Sequence, residues 1–96
     1  MKDKRKAYEE KLDAQLEEWS AQINLLKAKA DKGKAEAKIE YYKTIEALQH
    51  RQDEARKKLH ALKTAGDEAW EDLKTAAENA WDEVKTAFHI AASKFK

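Results

Sequence analysis

Leu62-Lys63-Thr64-Ala65, Leu73-Lys74-Thr75-Ala76 and Val84-Lys85-Thr86-Ala87 begin eleven residues apart, and Phe95-Lys96 opens a truncated fourth unit. Between them, Ala69-Trp70-Glu71-Asp72 is followed eleven residues later by Ala80-Trp81-Asp82-Glu83. Eleven residues over three turns is about 3.67 per turn, so the apolar stripe stays almost straight or drifts toward a right-handed supercoil. On a helical wheel Trp70, Leu73, Ala77, Ala80, Trp81, Val84, Phe88, Ala91 and Phe95 fall within roughly 100–140° of arc. Asp72 and Glu83 line one edge of this stripe and Lys74 and Lys85 the other, while Glu71, Glu78 and Asp82 point away. In a parallel pair of such helices the acidic edge of one meets the Lys edge of the other, so self-association through this segment is expected to be parallel.

Helical periodicity extends through the rest of the chain. Apolar side chains recur at three- and four-residue steps through Tyr8, Leu12, Leu16, Trp19, Ile23 and Leu26, then Ile45 and Leu48, then Leu59 and Leu62. The seam weakens twice. Between Leu26 and Ile39 it holds only Ala, with Gly33 inside Asp31-Lys32-Gly33-Lys34; between Leu48 and Leu59 it holds Gln52 and Ala55. Gly66 followed by Asp67 reads as a helix stop and then an N-cap with acid in the first turn.

Composition agrees. The 96 residues include no Pro, two Gly and 41 % charged side chains, which is the make-up of long helices or coiled coils. The expected fold is all-α: a coiled-coil-type antiparallel three-helix arrangement within a single helical domain over residues 1–96, with helices about 3–31, 35–65 and 67–95. A glycine inside a helix costs only about 1 kcal/mol relative to Ala. One long helix through Gly33 with a shorter C-terminal helix, in an oligomer, is therefore the alternative path.

Charge and motif content bound the function. Twenty basic and nineteen acidic residues nearly cancel, so no global field draws in nucleic acid, and none is expected as a partner. Residues 1–66 carry sixteen Lys/Arg against twelve Asp/Glu, and residues 67–96 carry four against seven, so the two parts attract each other. The basic stretch Arg51, Arg56, Lys57, Lys58 and Lys63 is read as a partner for the acidic last helix. The absence of Cys excludes disulfides and thiol chemistry. No apolar run reaches the roughly 20 residues that span a bilayer, and no apolar signal core follows the basic start, so a soluble cytoplasmic protein is expected.

No catalytic, cofactor-binding or metal-binding set emerges. His50, His60 and His89 are the strongest metal-ligand candidates, and Glu46, His50 and Glu54 share one helix face. No Glu-x-x-His pairs occur of the kind that helical bundles use for metal. Ser20 and Ser93 lack a nucleophile-elbow context, and there is no Gly-rich phosphate loop. The chain is read as non-enzymatic. Its interaction stripe is Trp70, Leu73, Ala77, Trp81, Val84, Phe88 and Phe95, whose large rings can each bury about 150–250 Å². The stripe packs either on the other two helices, or on a second copy or another helical protein, or weakly on a lipid surface. Membrane-surface helices favour Lys and Arg across the polar face, and here that face is mainly acidic.

The segment Gly66-Asp67-Glu68-Ala69-Trp70-Glu71-Asp72-Leu73-Lys74, followed by Ala80-Trp81-Asp82-Glu83-Val84-Lys85 and Phe95-Lys96, resembles a family of small bacterial coiled-coil proteins loosely described as stress-response proteins. Lys11-Leu12, Glu18-Trp19 and Ile39-Glu40-Tyr41-Tyr42 extend that resemblance over most of the chain. It implies a role in stress tolerance or as a scaffold and transfers no catalytic residue. A weaker similarity links the Lys-Thr-Ala eleven-mers to late-embryogenesis-abundant and apolipoprotein-like helices, although the former are more hydrophilic and lack Trp.

Overall fold

The computed structural model describes residues 2–95. They form three helices, α1 (Lys2–Asp31), α2 (Ala35–Thr64) and α3 (Asp67–Lys94), in a rod of 51 × 18 × 18 Å. A 30-residue helix is about 45 Å long at 1.5 Å per residue, so each spans nearly the full rod. Three helices of this length fit a 51 Å rod only if the chain reverses at the short connections, residues 32–34 and 65–66. Hence α2 runs antiparallel to both α1 and α3, and those two run parallel.

The long helix through Gly33 is not taken. Gly33 closes the last turn of α1 by donating its N–H to Ala30 O at 3.0 Å, and Lys34 then turns extended at φ −69°, ψ 150°. The Tyr41 ring packs so closely that a Cβ at Gly33 would meet its Cε2 at 3.1 Å. The expected cap at the second turn also shifts by one residue. Gly66, at φ −71°, ψ 162°, is itself the N-cap of α3, and Asp67 is the first helical residue. Asp67 and Glu68 therefore act on the helix dipole rather than by side-chain capping. Neither glycine has positive φ.

The core divides along the rod. Near the 65–66 turn it holds Leu12, Leu16, Trp19, Ala55, Leu59, Leu62, Ala77, Ala80, Trp81 and Val84. Near the 32–34 turn it holds Ile23, Ala30, Ile45, Leu48 and Ala91. Phe88 packs against both. On α2 the junction falls at Gln52, buried at 5 % exposure. Its amide Nε2 donates to Leu16 O at 3.0 Å and to Ser20 Oγ at 2.6 Å, so the polar interruption in the seam ties α2 to α1.

Ala30, Ala55, Ala77 and Ala91 are all fully buried, which lets α2 approach both neighbours closely. By contrast, among the described residues no Cα of α1 comes within 8 Å of a Cα of α3. Small side chains thus line the two antiparallel seams, and rings fill the wider parallel one.

Two substitutions test this packing. Ala77→Leu adds volume where none is open, and should lower unfolding stability by about 1–3 kcal/mol in urea titrations. Gln52→Leu combined with Ser20→Ala removes both partners of a buried hydrogen bond, and should be neutral or stabilising by about 1 kcal/mol. Gln52→Ala alone leaves a cavity and should destabilise.

Candidate interaction surface

Six of the seven stripe residues lie on the inward face of α3, and the seventh, Phe95, is its C-cap. Ala77 and Val84 are fully buried and Trp81 is 4 % exposed, while Trp70, Leu73, Phe88 and Phe95 are half-buried. Each large ring meets another ring. Trp70 meets Tyr8 edge-on, with centroids 5.7 Å apart at 74°. Trp81 meets Trp19 at 5.4 Å, and Phe88 stacks on the same Trp19 at 6.1 Å and 27°. Phe95 stacks on Tyr41 of α2 at 4.4 Å and 20°. Offset and edge-on pairs of this kind contribute about 0.5–1.5 kcal/mol beyond their area.

The stripe is therefore the seam of the bundle within one chain. Of the partners left open by the sequence, it is the other two helices that cover it. Periodicity signals Tyr8, Trp19 and Tyr41 as apolar positions, but it does not say which ring each one meets.

Polar atoms at the edge of the seam are satisfied from α1. Trp70 Nε1 donates to Glu9 Oε2 at 3.0 Å, and Trp81 Nε1 donates to Gln15 Oε1 at 2.9 Å. Lys74 Nζ sits 5.0 Å from the Tyr8 ring centroid and 5.7 Å from that of Trp70. The Lys edge of the stripe thus faces α1 here. Its acidic edge faces α2, where Arg51 pairs with Glu83 at 3.2 Å. Glu78, expected to point away, accepts from Tyr8 Oη at 3.4 Å.

Arg5 gives no signal in the sequence beyond belonging to the basic start, yet it holds the most connected position in the fold. Its guanidinium donates to Leu62 O, Lys63 O and Ala65 O at 3.1, 3.3 and 2.6 Å. It also pairs with Glu9 at 3.0 Å and Asp67 at 3.1 Å, and lies 5.8 Å from the Trp70 ring. One side chain from α1 therefore satisfies the end of α2 and the start of α3 together.

The basic stretch on α2 is mostly engaged elsewhere than expected. Arg51 alone reaches the acidic helix; Arg56 pairs with Asp53 at 3.4 Å, Lys57 with Glu54 at 4.0 Å, and Lys63 with Asp13 of α1 at 2.6 Å. These exposed pairs contribute little individually. His50, His60 and His89 are exposed, and no group of three His, Asp or Glu is placed to hold a metal ion among the described residues. Ser20 accepts from Gln52, and Ser93 donates to Ile90 O at 2.9 Å. Among the described residues no helix is long and apolar enough to cross a membrane.

Comparison of the chain with protein-family models, with curated protein sequences and with solved structures finds no match.

Burial raises the Tyr8 phenol above its ordinary value of 10.0, with the charge and hydrogen bond of Glu78 adding to it. The folded chain holds this proton more tightly than the unfolded one. The associated stability is then complete below the ordinary value and lost as pH rises through the folded value. Denaturant midpoints measured at rising alkaline pH should fall more steeply for the wild-type chain than for Tyr8→Phe. Equal slopes would show that Tyr8 is not held by this seam.

Proposed function

We propose that this chain is a non-enzymatic helical bundle that acts through protein–protein association, with a second copy of itself or another helical protein as partner. The observation that carries the reading is the apolar surface left outside the core. Leu25, Ile39, Tyr42 and Ile90 are 65, 64, 43 and 50 % exposed, and all four lie toward the 32–34 end of the rod. Ile90 also lines a shallow cleft between α2 and α3 with Thr44, Ala47 and Ala87, bordered by Lys43 and Arg51. Large apolar side chains concentrated at one end of so charged a chain suit a contact with another protein.

The resemblance to stress-associated coiled-coil proteins supplies the setting in which such a partner is sought. The lipid-surface alternative asks more of the molecule. Residues 67–96 would have to leave the bundle first, because the rings of Trp70, Trp81 and Phe88 are turned onto Tyr8 and Trp19.

Sedimentation equilibrium from micromolar to millimolar concentration, paired with Trp fluorescence in the presence of zwitterionic or anionic vesicles, tests both readings. The expected result is a mass that rises reversibly with concentration, weakened by Ile39→Glu with Ile90→Glu, and a Trp emission that ignores vesicles. A chain that stays monomeric and shifts its emission to the blue on vesicles would replace association with lipid binding.

A further inference from the structure

The eleven-residue repeat does not respect the second turn. Its first unit, Leu62-Lys63-Thr64-Ala65, lies at the end of α2, while the units beginning at Leu73 and Val84 lie inside α3. A spacing of eleven residues equals three turns only along an unbroken helix, and the extended residues 65–66 interrupt it. Were those two residues helical, α2 and α3 would merge into one helix about 90 Å long. Its apolar stripe would continue through Leu59, Leu62, Gly66, Trp70, Leu73 and Ala77. At 3.6 residues per turn the stripe centres of α2 and α3 fall within roughly 20° of each other. The sequence therefore suits two paths at this point, a reversal and a straight helix.

The geometry points to Ala65–Gly66 as a hinge about which α3 is exchanged between two copies of this chain, with Arg5 as the latch that favours the closed form. In the exchanged pair each α3 docks on the other copy's α1 and α2 through the contacts it makes at home. Short connections are the usual hinges for such exchange. Ala65 and Gly66 are both extended, and no heavy atom lies within 4 Å of where a Gly66 Cβ would stand, so a side chain at residue 66 meets no obstacle.

The latch competes for the same acceptors. Arg5 donates to the carbonyls of Leu62, Lys63 and Ala65. In a continuing helix those carbonyls would accept from the N–H groups of Gly66, Asp67 and Ala69. The ion pair from Arg5 to Asp67 fixes the first residue of α3 at the reversal as well. The first turn has no such freedom: Tyr41 packs on Gly33 and stacks on Phe95, Tyr42 donates to Asp31, and no repeat unit spans it.

This inference names a second copy as partner and so rests on the association reading, but its test separates the two. The chain and its variants are refolded from denaturant at high concentration, checked by circular dichroism, and separated by size exclusion with light scattering. Gly66→Ala favours the straight path and should raise the dimer fraction several-fold, as should Arg5→Ala. Gly66→Pro should abolish the dimer while the monomer stays folded. The φ of −71° at residue 66 fits a proline ring, Ala65 at ψ 146° has the extended form proline requires before it, and the Gly66 N–H makes no backbone hydrogen bond among the described residues. The dimer should survive Ile39→Glu with Ile90→Glu. A dimer that forms equally with Gly66→Pro overturns the exchange and leaves association of closed bundles standing. Monomers alone in Gly66→Ala overturn it as well, and if Arg5→Ala fails to fold, the two residue-66 variants decide the matter.

Discussion

The rings of Trp19 and Trp81, with centroids 5.4 Å apart, occupy the centre of the only seam in this bundle that joins two parallel helices. That seam is where the fold is most constrained. α1 and α3 do not bring their Cα atoms within 8 Å among the described residues, so the space between them is filled by side-chain volume. Tyr8 with Trp70 and Trp19 with Phe88 extend the same layer of rings along the rod. Small buried alanines accompany the close approach of α2 to both neighbours on the two antiparallel seams.

Polar groups complete the layer rather than interrupt it. The indole N–H groups of Trp70 and Trp81 find Glu9 and Gln15 on α1, and Gln52 finds Ser20 and a backbone carbonyl there. Among the described residues no buried side-chain nitrogen or oxygen is left without a hydrogen-bond partner. These bonds act on register more than on raw stability. Each fixes the height of one helix against another, which a stripe of apolar residues alone does loosely.

Much of this was legible in the chain. Three- and four-residue spacing marks the inward face of each helix, and Gly33 and Gly66, the two residues that disfavour helix most, stand where the chain reverses. The stripe from Trp70 to Phe95 is visible because an eleven-residue period keeps its rings on one side. Arg5 was not legible. Its acceptors are backbone carbonyls 57 to 60 residues away, which are open to a side chain only because a helix ends there. Ile39 misleads in the opposite direction, an apolar residue in a helical run that faces outward. The N-cap expected at Asp67 falls one residue earlier because Gly66 is already extended and leaves Asp67 free to meet Arg5.

By itself, then, the sequence determined that this chain is helical, where its helices break and which face of each is apolar. A 3.6-residue period carries that information locally and needs no knowledge of neighbours. Only the tertiary structure decided what each face meets: that the stripe of α3 is covered by α1 and α2, that its Lys edge turns to the rings of Tyr8 and Trp70, and that one arginine binds both helix ends at the second turn. Periodicity specifies a direction around a helix axis, whereas a partner depends on where a distant part of the chain returns. At residues 65–66 the repeat fits a straight helix and the closed bundle requires a reversal, so there it is the tertiary contacts that choose.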